Sequence, residues 1–333
     1  MQQSHTQNCL DSPPTDAISA VKFSPSNNDL LVSSWDKNVI LYDVNKNQIR
    51  REFHNSSPVL DCNFLNSDKG IGGTLGGEIN EYIFENQETI QIGKHQSAVR
   101  CTRSIDQENV FATGSWDKTV CIWDLRAKNF LTEKVDQPNK VYAMDSKGNY
   151  LVVGHAKRTI NIYDIRNFQK PIQERESPLK HQTRYIACMP NGEGYAISSI
   201  EGRIGIEYFD PSPDIQEKQF AFKCHRKVVQ DTTYVFPVNT IAFHSYWGTF
   251  ASGGCDKTVY VWDISSRKRI SQFPNFPTSI SSIDINYTGS IMAIAASYTY
   301  EKGEIDHPPD AIYIKFLSEQ DIRPRDLNQN KKI

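Results

Sequence analysis

The chain has 333 residues, 38% of them apolar and 11% aromatic, and a formal net charge of −2. That balance excludes the broad basic field by which proteins gather nucleic acid or anionic membrane through bulk charge. Seven cysteines stand singly, at Cys9, Cys62, Cys101, Cys121, Cys188, Cys224 and Cys255, with no CxxC pair, which argues against a disulfide framework or a zinc ribbon and for reduced thiols in the cytosol or nucleus.

Taken in order, residues Met1–Asp16 are polar and contain Pro13-Pro14, without the basic and apolar regions of a signal peptide. Within them Gln7–Leu10 reads as a short strand. Strands are then expected at Ile18–Phe23, Leu30–Ser34, Val39–Val44 and Gln48–Phe53. The segment SWDKNVILYD, Ser34–Asp43, is a turn followed by a β-branched and aromatic run, the composition of a strand packed on both faces. It returns as TLGGEINEYI (Thr74–Ile83), GSWDKTVCIWDL (Gly114–Leu125), HAKRTINIYD (His155–Asp164), SIEGRIGIEY (Ser199–Tyr208) and GCDKTVYVWD (Gly254–Asp263), with a degenerate copy in Asp310–Phe316.

The first four copies are spaced by about 40 residues, the period of a four-stranded propeller blade. The chain is therefore expected to be all-β, a single seven-bladed propeller over residues 1–333. The N-terminal strand would pair with the last blade and remove the open edges. The wider gaps after Asp164 and Tyr208 require insertions. FAFKCHR, Phe220–Arg226, alternates like an outer strand, Lys227–Thr233 reads as a polar loop, and Ser297–Asp310 is an expanded turn. Ile291–Ala296 is too short to span a bilayer, and a charged tail from about Ser318 is expected to fray.

No GxSxG, GxxxxGK[ST], HExxH or kinase motif set occurs, so no catalytic site is expected. Trp123, Trp262, Tyr42 and Tyr163 share one strand position and read as blade core. Trp35 and Trp116 sit instead in the preceding turns. Each either covers its neighbour or serves as a binding anchor, since equivalent turns of different blades emerge on one face. Arg203 is a cation where other repeats carry Asn38, Thr119, Thr159 or Thr258, with Lys223, His225 and Arg226 later in the same blade. These are either solvated charges or an anion clamp in which the Arg fork matches phosphate oxygens and Lys adds a point charge.

At these residues the chain resembles the WD-repeat propeller of the mitotic spindle-assembly checkpoint, of the Bub family. The likeness covers almost the whole length and rests on ISAVKFSP (Ile18–Pro25), LLVSSWDKNVILYDV (Leu30–Val44), SSIEGRIGIEYFDPSP (Ser198–Pro213), FAFKCHR, VFPVNTIAFHSYWGTFASGGCDKTVYVWD (Val235–Asp263), PTSISS (Pro277–Ser282) and AIAASYTYEKGEIDHPPDAIYIK (Ala293–Lys315). The resemblance implies a non-enzymatic adaptor without cofactor or metal, a monomeric propeller working in hetero-complexes in the nucleus and at mitotic kinetochores, with no direct contact to nucleic acid or membrane. It implies that Trp35 and Trp116 contact the GLEBS segment of the checkpoint kinase and its kinase-like homologue. It also implies that Arg203 and Lys223 bind the phosphothreonine of Met-Glu-Leu-Thr repeats in the outer-kinetochore scaffold, although Lys223 stands where some members have Arg. A related family, the nuclear mRNA-export propeller that binds a nucleoporin GLEBS segment, shares the EGR and FKCHR elements. The acidic Glu301–Asp310 insert and the short N-terminal arm look like the checkpoint member.

Overall fold

The computed structural model describes residues 8–105 and 109–324. Seven four-stranded antiparallel sheets succeed one another around a ring, six made of consecutive strands and the seventh of the last three blade strands with the N-terminal one. We call the strands of each blade a to d from the centre outward. In blade one they are Ile18–Phe23, Asp29–Ser34, Asn38–Asp43 and Gln48–His54. The seven a-strands contact one another in sequence, and the last touches the first, which closes the ring. Strands b of all seven blades are buried along all or nearly all of their length. Apolar side chains of adjacent sheets interlock between blades, as where Leu31 and Val39 of blade one meet Val59, Phe64 and Tyr82 of blade two.

Closure falls to the N-terminal strand. Asn8 and Cys9 pair with Ile314 and Tyr313, and Leu10 N donates to Ile312 O at 2.8 Å. Leu10 is buried with Ile18, Val21, Ile312 and Ile314. The strand that the sequence suggests over Gln7–Leu10 is thus present at Asn8–Cys9, and Gln7 lies outside the described residues.

The recurring Trp or Tyr of strand c is packed in the core, and each of the four also uses its polar tip. Trp123 Nε1 donates to Thr113 Oγ1, which His95 Nε2 also meets at 2.8 Å, while His95 Nδ1 lies 3.0 Å from Asp117. Blade six repeats this with Trp262, Ser252, His225 and Asp256. Tyr42 and Tyr163 reach the loop before strand a instead, donating to Ser12 O and Gln137 Oε1. These contacts satisfy polar groups that would otherwise be orphaned in the core.

Two parts differ from the sequence expectation. Strand d of blade five ends at Lys223, because His225 adopts a left-handed φ of 44° and turns inward, buried against Asp256. Beyond it the chain forms a two-stranded hairpin, Arg226–Val229 with Thr232–Val235, standing apart from the blades. The tail also does not fray at Ser318. Ser318 and Asp321 form a capping box, Glu319–Ile322 make one helical turn, and buried Ile322 accepts a hydrogen bond from Thr249 Oγ1 through its carbonyl.

Candidate functional site

Each b–c turn is held from below by a backbone bond to the loop before strand a. In blade one Trp35 N donates to Ala17 O and Ser34 Oγ to Asp16 O. Asp36 caps Asn38 N with one oxygen and accepts from Thr15 N with the other. Blade three repeats the pattern with Trp116 N to Ala98 O, and with Asp117 accepting from Thr119 N and Gln96 N. The Asp-Lys part of the motif is thus consumed in building the turn. Trp35 is left 42% exposed. Trp116 is partly covered, with Lys140 Nζ 5.9 Å from its ring centre, and its buried Nε1 meets no acceptor among the described residues. Leu75, half-exposed at the same turn position of blade two, stands between them in the ring order.

Blade five carries the cations. Arg203 opens strand c and Lys223 ends strand d, and the two are direct partners across the antiparallel ladder, which sets their Cβ atoms about 5 Å apart. Lys223 is exposed. Arg203 Nε is buried and has no hydrogen-bond partner among the described residues, and the carboxylate of Glu201 lies 3.7 Å from it. Strand c must turn sharply ahead of Arg203. Gly202 does so at φ +60°, where a Cβ would lie 2.8 Å from Cys224 O and 3.0 Å from Val235.

His225 and Arg226, which the sequence groups with these cations, belong elsewhere. The buried His225 ring is bound on both sides, and Arg226 Nη2 donates to Glu201 O at 2.9 Å. The structure therefore brings Arg203 and Lys223 together on blade five. It keeps Trp35 and Trp116 apart from them, on blades one and three of the same face.

Two further cations escape a reading of the sequence. In every a-strand one extra residue forms a β-bulge between the first and second ladder pairs. A bulge re-aims its side chain, and six of these residues line the central channel: Ser19, Arg100, Tyr142, Arg184, Asn239 and Ser281. Arg184 donates to Asn239 Oδ1. Burial, reinforced by the nearby charge of Arg100, lowers its pKa. Two guanidiniums converging on one cavity are chemically suited to an inserted carboxylate. The signal was present as VRC and TRY at matching positions, but strand periodicity does not show where a bulge falls.

The family described as WD domain, G-beta repeat matches residues 5–43, 86–124 and 219–263. The chain is 44% identical to the mitotic checkpoint protein BUB3.1 of Arabidopsis thaliana, covering 95% of this chain and 94% of that protein. It is 43% identical to the mitotic checkpoint protein bub3 of Dictyostelium discoideum, covering 94% and 95%. A poly(A)+ RNA export protein of Schizosaccharomyces pombe is 36% identical, covering 94% and 91%. Seven closed blades, WD repeats and this extent of identity place the chain in the Bub3 family of mitotic checkpoint WD-repeat proteins.

Proposed function

We propose that the chain is a non-catalytic adaptor with two docking regions on one face of the propeller. Trp35 and Trp116 anchor a GLEBS segment from the checkpoint kinase or its kinase-like homologue. Arg203 and Lys223 hold the phosphate of a phosphorylated Met-Glu-Leu-Thr repeat in the outer-kinetochore scaffold. Joining the two recruits checkpoint complexes to unattached kinetochores, within the nucleus and on mitotic chromosomes.

The observation that carries the reading is the cross-strand pairing of Arg203 with Lys223. Phosphorylation of threonine adds nearly two negative charges and three acceptor oxygens. Between two adjacent cations it gains charge-assisted bonds that a plain hydroxyl cannot make. The wall of Trp35, Leu75 and Trp116 suits apolar side chains of a segment that folds as it binds. Arg100 and Arg184 at the channel offer it a seat for an acidic residue.

Titration calorimetry on four variants tests the assignment. Arg203→Ala and Lys223→Ala should abolish the preference for the phosphorylated repeat and leave GLEBS binding intact. Trp35→Ala and Trp116→Ala should weaken GLEBS binding by about 2 kcal/mol or more with little change in melting temperature. An undiminished phosphate preference in both clamp variants overturns the clamp. The relative named for poly(A)+ RNA export motivates the rival reading of an mRNA-export propeller with a nucleoporin GLEBS partner. That reading predicts RNA association with a steep salt dependence, which the same preparations would reveal.

A further inference from the structure

The face opposite Trp35 and Trp116 is made by the a–b turns, and three successive ones form an uncharged strip. The connecting segments of blades six, seven and one, residues 244–249, 286–290 and 24–28, contain no Asp, Glu, Lys or Arg. They are bonded to one another. His244 Nδ1 accepts from Tyr246 N and Trp247 N at 3.2 and 3.1 Å, and its Nε2 donates to Gly289 O of blade seven at 3.2 Å. Only glycine permits this approach, since a Cβ at position 289, where φ is +74°, would lie 2.1 Å from the His244 ring. Asn286 Nδ2 in turn donates to Asn28 Oδ1 of blade one at 2.8 Å. On this braced strip stand Tyr246, 78% exposed, and Tyr287, 49% exposed. Tyr246 meets Trp247 edge to face with 4.7 Å between ring centres, and the Arg323 guanidinium lies 5.3 Å from the Trp247 ring centre. Arg323 is itself paired with Glu319, and Arg50 with Asp29, so the charges beside the strip are answered locally.

We infer that this strip is a docking surface for an uncharged, proline-rich segment in the polyproline conformation. Area and chemistry select that occupant. The two exposed tyrosines offer about 250 Å² of side-chain surface. A stable folded partner or a second copy needs roughly 800 Å² on each side, so a short linear segment fits and a domain does not. A charged segment would find no counter-charge in the three turns, whereas pyrrolidine rings pack against the faces of Tyr and Trp. A polyproline chain makes no internal hydrogen bonds, and its bare carbonyls suit the phenol donors of Tyr246 and Tyr287. The turns are already ordered and the polyproline chain is stiff before it binds, so little conformational freedom is lost on either side.

The test uses the full chain with a fluorescently labelled decaproline peptide and a Gly-Ser peptide of the same length, followed by anisotropy at low and high salt. Decaproline should bind the native protein with an affinity that salt leaves unchanged, and the Gly-Ser peptide should bind far more weakly. Tyr246→Ser and Tyr287→Ser should each weaken decaproline binding about tenfold, while Tyr300→Ser, at an exposed tyrosine of the opposite face, should leave it as it was. No binding of decaproline by the native protein, or equal binding of the two peptides, overturns the inference, and both comparisons need only the native chain. Native affinity in both Tyr246→Ser and Tyr287→Ser overturns it as well, by placing the peptide elsewhere. So does a steep fall of affinity with salt, the mark of a charge-driven contact. Sedimentation of the protein alone addresses the other occupant: a dimer that is lost in Tyr246→Ser means that a second copy takes the strip, and the proline-rich reading falls.

Discussion

Glu201 is a carboxylate placed where a phosphate-binding site would least need one. It touches Arg203 at 3.7 Å and His181 Nε2 at 4.0 Å, and its Oε1 accepts from Lys180 N at 3.0 Å. It both orients the guanidinium and competes with any incoming anion. Glu201→Gln keeps an oxygen for Lys180 N and removes the charge. Affinity for a phosphorylated peptide should then rise a few-fold, consistent with the modest worth of exposed ion pairs, and the plain peptide should bind as before. A titration showing unchanged or weaker phosphopeptide binding would mean that orientation outweighs repulsion. At this scale the sequence marked Arg203 because its type breaks the repeat pattern, and the structure pairs it with Lys223. The sequence misled where backbone geometry decided, as with His225, whose left-handed turn carries it out of the cation group.

Strands were legible because each buried run repeats at blade period. The hairpin was not. KVVQDTT reads as a polar loop, and its turn residues Gln230 and Asp231 adopt φ of 47° and 61° without an Asn-Gly signal. Loop-to-strand histidines matter at this scale too. His155 ends strand b of blade four, wholly buried, with Nε2 2.9 Å from Gln137 Oε1 and Nδ1 3.1 Å from Thr159 O. Burial lowers its pKa from 6.5 to about 4. The folded protein keeps this ring neutral while the unfolded chain protonates it near pH 6.5. Its contribution is therefore fully present above pH 6.5 and is lost as pH falls towards 4, amounting to roughly 3 kcal/mol. His155→Gln should flatten that part of the stability profile. Parallel slopes for native and variant proteins between pH 6.5 and 4, read from denaturant midpoints, would contradict it.

At the scale of the whole ring, the a-strands are stitched across blades by buried charge. Arg103 of blade three bonds Asp61 of blade two at 2.6 Å and Asp145 of blade four at 3.1 Å. Asp61, Asp145 and Asp284 each accept a backbone N–H from the next blade, from Thr102, Cys188 and Phe23. The seam between blades seven and one has such a bond, and it also has the N-terminal strand. Deleting Met1–Leu10 removes the pairing and the buried Leu10, worth about 2 kcal/mol, and should lower the melting temperature by about 3 °C. An unchanged melting temperature would show that the a-strands alone hold the seam.

That pairing has a consequence for how the molecule is made. Cys9 meets Tyr313, and the ribosome needs roughly 15–60 s at about 5–20 residues per second to supply the partner strand. During that interval the earliest strand has nowhere to go, and the growing stack presents an unpaired blade edge to its surroundings. The hydrogen bonds of so short a strand cannot by themselves offset the entropy of drawing together such distant ends, so the latch forms after the blades and does not nucleate them. Synthesis therefore leaves a window in which a nascent chain is nearly complete yet open, and in which two neighbouring nascent chains can exchange their first strands.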